Sequence, residues 1–150
     1  MIRNCKMIEF AEKTDGRGKL VPIEYPKQLG FPIKRIYYIY DVDKNVTRGF
    51  HSHLNLEQVL IAIHGKIKVR VKTPYEEEVV ELSNPNEGLY IGNMVWREMF
   101  DFENDGILLV LASHEYDEMD YIRDINEYTK LAIPYFSENI KVKEKIKKWK

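Results

Sequence analysis

Thr47-Arg48-Gly49-Phe50-His51-Ser52-His53, continued by Leu56-Glu57-Gln58-Val59-Leu60-Ile61-Ala62-Ile63-His64-Gly65, is the stretch whose conformation decides the fold. In an extended strand alternate side chains share a face, so His51 and His53 look into one space, with Gly49 before them on that face. Two imidazoles held side by side on a rigid strand and titrating near neutrality suit proton transfer or metal binding. Gln58 falls on the inward face of the following strand. Arg48 alternates to the face opposite His51 and reaches the same pocket only through a bulge, a local twist or a place at a barrel mouth.

Composition bounds what can surround this stretch. A chain of 150 residues with formal net charge -1 and 44% hydrophobic side chains fits one globular domain with a real core. Such balance gives no broad basic footprint for nucleic acid. Lys141, Lys143, Lys145, Lys147, Lys148 and Lys150 make only the C-terminal end basic, as a solvated helix end would be. Cys5 is the sole cysteine, so neither an intrachain disulfide nor a thiolate metal cluster can form, which suits a reducing cytoplasm. The N-terminus lacks a continuous apolar leader, and the apolar runs at 59–63 and 107–112 are too short to span a bilayer. The expectation is a cytoplasmic protein without membrane or nucleic-acid partners.

Strand signals recur at close spacing. They fall at 6–10, at 33–42, around the histidines, across 57–73 as two strands joined at His64-Gly65, at 76–82, at 89–91 and at 107–112. Asn104-Asp105-Gly106 reads as a hairpin turn, and Gly16-Arg17-Gly18 as a tight turn presenting one cation near a strand entrance. In the second strand Arg35, Tyr37 and Ile39 share one face and Ile36, Tyr38 and Tyr40 the other, so one tyrosine face lines a polar cavity. This is an all-β sandwich or small barrel. Past Pro134, Ser137 is placed to cap a C-terminal helix whose lysines suit the negative end of its dipole.

Gly49, His51, His53, Gln58 and Gly65, then a Pro-x-x-Gly turn at Pro85 to Gly88 and the strand with Trp96-Arg97, resemble the two motifs of the cupin superfamily. The resemblance implies a double-stranded β-helix, or jelly-roll barrel, over residues 1–128, with 129–150 as a helical extension. In that superfamily the motifs usually supply His, His, Glu and a further His to a metal. Here the third position carries Gln58, a weak neutral ligand, and the fourth Arg97, which stays protonated and offers no lone pair. No metal and no cofactor are therefore expected. Glu57 could substitute as third ligand only through a bulge, because alternation turns it outward.

Within the cupins, Asp15-x-Arg17-Gly18-x-Leu20, the histidine stretch, Trp96-x-x-Met99-x-Asp101-Phe102 and Tyr121-Ile122-Arg123 are similar to the sugar nucleotide 3,4-ketoisomerases. The similarity covers nearly the whole chain to about residue 128. It implies metal-independent conversion of dTDP-4-keto-6-deoxyglucose to a 3-keto isomer for aminosugar biosynthesis, on a dTDP-linked ketosugar and in a homodimer. The homodimer is also expected because the N-terminal strand needs an edge to pair with. Catalytic candidates are His51 as base, His53 as its neighbour and Tyr37 as proton carrier or hydrogen-bond donor to the developing oxyanion. Substrate-binding candidates are Arg17, Arg48 and Arg97 for the phosphates, Gln58 for a sugar hydroxyl, and Trp96 and Tyr90 for stacking a base. The competing readings are a sugar nucleotide 3,5-epimerase and a non-catalytic cupin that binds a nucleotide sugar.

Overall fold

The computed structural model describes residues 1–148, with side chains as far as residue 137. β1 (Cys5–Glu9) is followed by a small hairpin of β2 (Lys13–Asp15) and β3 (Gly18–Leu20). β4 (Arg35–Ile39), β5 (Arg48–His53), β6 (Gln58–Lys72), β7 (Glu77–Leu82), β8 (Glu87–Ile91), β9 (Trp96–Ala112) and β10 (Tyr121–Ile122) come next, and α1 (Ile125–Lys148) closes the chain. Apart from the hairpin, the strands form one antiparallel sheet in the order β1-β8-β6-β9-β5-β10, with β4 also on β9 and β7 also on β6. The sheet curls on itself around an apolar interior, as the jelly-roll expectation requires.

β6 and β9 each run unbroken where two strands were expected. Gly65 sits at φ 70° and Asn104 and Asp105 at φ 53° and 54°, and the β6–β9 register slips between Ala62 and Lys68. The turn-forming residues of the two strands thus face one another and serve as paired bulges that bend both strands together. A Cβ on Gly65 would lie 2.4 Å from the Glu103 carbonyl oxygen, so only glycine fits the bend.

Two apolar clusters lie on the two faces of the sheet. Leu60, Ala62, Val69, Val71, Leu108 and Val110 point into the barrel, while Val59, Ile61 and Leu111 point out and are covered by Phe10, Leu29 and Phe31. Burial on both faces explains the continuous apolar run at 59–63. Each such side chain contributes about 1.5–3 kcal/mol.

The helix starts earlier than expected. The Asp124 carboxylate accepts the Glu127 amide at 2.8 Å and caps the first turn, so Ser137 lies inside the helix rather than at its start. Tyr128, Ala132 and Phe136 are buried in the main core, and the Tyr128 hydroxyl donates to the Met94 carbonyl at 2.8 Å. The first turns of the helix therefore belong to the barrel, and the 128/129 division falls within a continuous element. The terminal lysines lie outside the residues whose side chains are described. β1 finds its partner in β8 of the same chain, so the N-terminal strand does not by itself call for a second copy. No described helix is long and apolar enough to cross a membrane.

Candidate active site

β5 does not run straight into its histidines. Gly49 takes φ 99° and Phe50 φ 52°, and the pairing with β9 slips between Gly49 and His51. A left-handed phenylalanine costs about 1–2 kcal/mol, so the surrounding fold must hold this kink in place. The kink undoes the simple alternation: Arg48 and His51 line one cavity of about 340 Å³ together with Arg35, Tyr37, Ile39, Gly49, Met99, Tyr116, Tyr121 and Arg123. Gly49 itself is required, since a Cβ there would lie 2.9 Å from the Arg97 carbonyl oxygen.

Beneath this cavity lies a buried polar chain. Arg97, opposite His51 in the β5–β9 pairing, donates from one Nη to Gln58 Oε1 at 3.0 Å, and Gln58 Nε2 donates to the Tyr37 hydroxyl at 3.0 Å. Arg97 is only 1% exposed, and its Nε and second Nη have no partner among the described residues. Burial lowers its pKa, yet a guanidinium remains charged across the working range. A desolvated cation without a carboxylate costs stability and marks a site built for an anionic or oxygen-rich partner. Burial also pushes the Tyr37 phenol above its usual pKa, with the Gln58 hydrogen bond opposing.

The two imidazoles stand edge to face with centroids 4.9 Å apart, and Tyr121 packs on both, 5.1 Å from His51 and 4.4 Å from His53. Their outlets differ. His51 opens on the larger cavity, whereas His53 lines a smaller one of about 170 Å³ with Asp120 and His114; Arg35 and Tyr121 border both. Burial, helped by the Arg97 charge, holds His51 down to about 3 against a hydrogen bond to the Gly49 backbone that favours its protonated form. The same two causes, burial first, lower His53 further. Both rings are neutral near neutrality, and a neutral ring can act as a base.

Three arginines, Arg35, Arg48 and Arg123, line the larger cavity, and none of its lining residues is acidic. The Arg35 guanidinium stacks over Tyr37 at 5.2 Å and Tyr116 at 5.5 Å. Arg123 lies 4.1 Å over Tyr121 and makes a two-pronged contact with Glu118 at 2.8 and 2.9 Å. That contact holds the exposed Glu118 carboxyl down to about 2.

His51, His53, Tyr37, Gln58, Arg97 and Arg48 are thus gathered in one region. Arg17, Trp96 and Tyr90 are not. Arg17 is 91% exposed at the tip of the β2–β3 hairpin, paired with Asp15 at 2.9 Å. Trp96 is core: its ring packs 5.4 Å from Tyr128 and its Nε1 donates to Glu98 at 3.0 Å. Tyr90 lies on the outer face of the sheet, its hydroxyl given to Glu57 and its ring under Lys6. Neither aromatic lines either cavity.

The family described as FdtA, WxcM-like C-terminal, matches residues 3–132. The chain belongs to that family. The TDP-4-oxo-6-deoxy-alpha-D-glucose-3,4-oxoisomerase of Aneurinibacillus thermoaerophilus is 45% identical over 125 residues, which are 83% of this chain and 90% of the relative. A variant of the 3,4-ketoisomerase QdtA from Thermoanaerobacterium thermosaccharolyticum, solved with TDP-4-keto-6-deoxyglucose, is 52% identical with a TM-score of 0.86, over 88% of this chain and 96% of that one. The TDP-quinovose 3,4-ketoisomerase WlaRB of Campylobacter jejuni is 44% identical with a TM-score of 0.83, over 86% and 99%.

Among the charged and aromatic side chains lining this FdtA-like site, Arg35, Tyr116, Tyr121 and Arg123 were not site candidates from the sequence. Arg35 was within reach, since it shares the inward face of β4 with Tyr37. Tyr121 and Arg123 stand in a motif that carries the ketoisomerase resemblance but had no role assigned to them; Tyr121 enters because the two-residue β10 pairs it with His53.

Proposed function

We propose that this protein is a TDP-sugar 3,4-ketoisomerase that uses its own side chains and no metal. The observation that carries the reading is His51 opening on a cavity lined by three arginines, beside a buried guanidinium with two bare nitrogens, in a chain 45% identical to a TDP-sugar 3,4-oxoisomerase. Moving a ketone from C4 to C3 requires removal of the hydrogen on C3, an enediolate, passage of the C3 hydroxyl proton to the C4 oxygen, and return of a proton to C4. His51 takes and returns that hydrogen. The free Nη of Arg97 and the Tyr37 hydroxyl face the negative charge that grows on the sugar oxygens, and they are in place before it forms.

The diphosphate is held by Arg48 and Arg123, guanidinium forks that match phosphate oxygens, with the phosphates taking the place of Glu118 on Arg123. Tyr116, half-covered by Arg35, offers the thymine a stacking face. The residues do not suit a divalent cation. Both polar atoms of the Gln58 side chain are engaged, and Arg97 sets a fixed positive charge at the position of a fourth ligand.

A homodimer fits the outer face of β4, where Ile36, Tyr38 and Tyr40 are 60%, 63% and 63% exposed side by side. Arg17 stands clear of its own barrel, so a substrate contact from it would have to be made in a neighbouring subunit. A monomer at micromolar concentration in solution scattering would remove both statements.

Incubating the protein with TDP-4-keto-6-deoxyglucose and following the products by NMR tests the activity. The expected result is a 3-keto product with solvent deuterium at C4, and deuterium at C3 in the recovered 4-keto sugar. Exchange at C5 without a 3-keto product would make the protein an epimerase instead.

A further inference from the structure

One acidic side chain beside the site has no part in the reading above. Asp120 ends a 3-10 turn, Glu118–Asp120, that leads directly into β10. Its Oδ1 accepts the Asn55 amide at 2.8 Å and its Oδ2 the Leu56 amide at 3.2 Å, while Oδ2 also lies 3.1 Å from His53 Nδ1. A carboxylate that already receives two backbone N–H groups has only acceptor capacity to offer the ring, so the proton between them belongs to Nδ1. Across the ring, Nε2 is buried and without a partner among the described residues.

Nε2 is thus a bare acceptor in the same interior where Arg97 keeps two donor nitrogens, Nε and one Nη, without acceptors. An unpaired acceptor that feels the Arg97 charge, with unpaired donors on that same side chain, suits two neighbouring oxygens of opposite hydrogen-bonding character. A hydroxyl would give its proton to His53, and a carbonyl or enediolate oxygen would accept from Arg97. Vicinal oxygens of this kind are what an α-hydroxyketone presents.

We infer that Asp120 is a positioning residue that acts through His53, fixing the Nδ1–H tautomer so that Nε2 accepts a hydrogen bond from the sugar hydroxyl next to the ketone. The inference rests on the ketoisomerase reading and divides the labour of the two imidazoles. His51 exchanges the carbon-bound hydrogen, and His53 holds the neighbouring oxygen. The depressed pKa of His53, owed to burial and then to Arg97, agrees with an acceptor that stays neutral. Asp120→Asn keeps the size of the side chain but turns an N–H toward the ring, so that the proton moves from Nδ1 to Nε2 and the acceptor is lost.

The test has two readouts on the full-length protein. Nitrogen-15 NMR of labelled histidine, with His53 assigned by its absence in His53→Gln, should show Nδ1 protonated and Nε2 bare in the parent, and the reverse in Asp120→Asn. In turnover, Asp120→Asn should lower kcat by about 10²-fold with KM nearly unchanged. Placed in the His53→Gln background it should cost nothing further. A bare Nδ1 in the parent protein overturns the inference whether or not the variant folds. So does an Asp120→Asn loss as large without His53 as with it. If the parent shows the expected tautomer but does not isomerise the ketosugar, the ketoisomerase reading fails while the tautomer assignment stands.

Discussion

Two hollows lie along β9, one against β4 and β5 and the other against the segment that follows β4, and they are opposites. The larger, about 850 Å³, is lined by the 40–44 and 102–107 segments and carries Asp41, Asp43, Glu103 and Asp105 against the single cation Lys44, which is already tied to Glu103 at 3.5 Å. The smaller, about 340 Å³, has three arginines, no acid and a neutral imidazole. Volume alone would favour the first. A nucleoside diphosphate sugar brings two negative phosphates and a carbon acid, and only the second hollow offers cations and a base together. Size locates hollows, and the chemistry of the wall decides which one is used.

The hardest blow to that contrast comes from His51→Asn. Removal of the base should lower kcat by about 10²–10⁴-fold with TDP affinity kept, as read by NMR turnover and calorimetry. Retained turnover would move the base elsewhere. The same change carries a pH signature. A group with its folded pKa near 3 against 6.5 unfolded disfavours the native state as pH falls from 6.5 toward 3, because the unfolded chain binds the proton more readily. His51→Asn should therefore lose less stability over that window than the parent does, as measured by urea midpoints.

Arg97→Met ranks next and separates function from stability. Turnover should drop by about 10²-fold as oxyanion stabilisation is lost. Relief of a buried unpaired charge, about 1–4 kcal/mol, offsets the about 1–3 kcal/mol of leaving Gln58 Oε1 without its donor. The urea midpoint should therefore hold or rise, and a clear fall would show that Arg97 is structural.

Arg123→Ala should raise KM by about 10-fold with kcat almost unchanged, since it removes one charge-assisted contact to phosphate. A fall in kcat instead would place Arg123 at the reacting carbons. Smallest of all, Asp43→Asn together with Asp105→Asn in the acidic hollow should leave KM unaltered and stability within about 0.5 kcal/mol. A large effect there would reverse the assignment of the two hollows.

Much of this was readable from residue alternation. β1, β4, β5 and β7 lie where their patterns place them, and Arg97 and Gln58, which the cupin resemblance singled out together, are hydrogen-bonded to each other in the interior. What could not be read was any feature decided between segments. Asn104-Asp105-Gly106 has the local chemistry of a hairpin, and only Gly65 across the ribbon makes it a bulge. Arg48 looked misplaced because strand parity has no term for a left-handed Phe50. Trp96 and Tyr90 were assigned by residue type, and burial on one side and a carboxylate partner on the other claim them instead. The early helix start was visible in Asp124-x-x-Glu127, a capping pattern overshadowed by Ser137.

The left-handed step at Gly49 and Phe50 reaches beyond geometry. Arg48 is aimed by its neighbours' backbone rather than by its own contacts, so in the proposed mechanism phosphate grip and proton abstraction hang from one short irregularity. An alanine at residue 49 would meet the Arg97 carbonyl and strain a φ of 99°, and in relaxing would swing the guanidinium and the imidazole apart at once. A residue with no side chain thereby governs two steps of the proposed reaction.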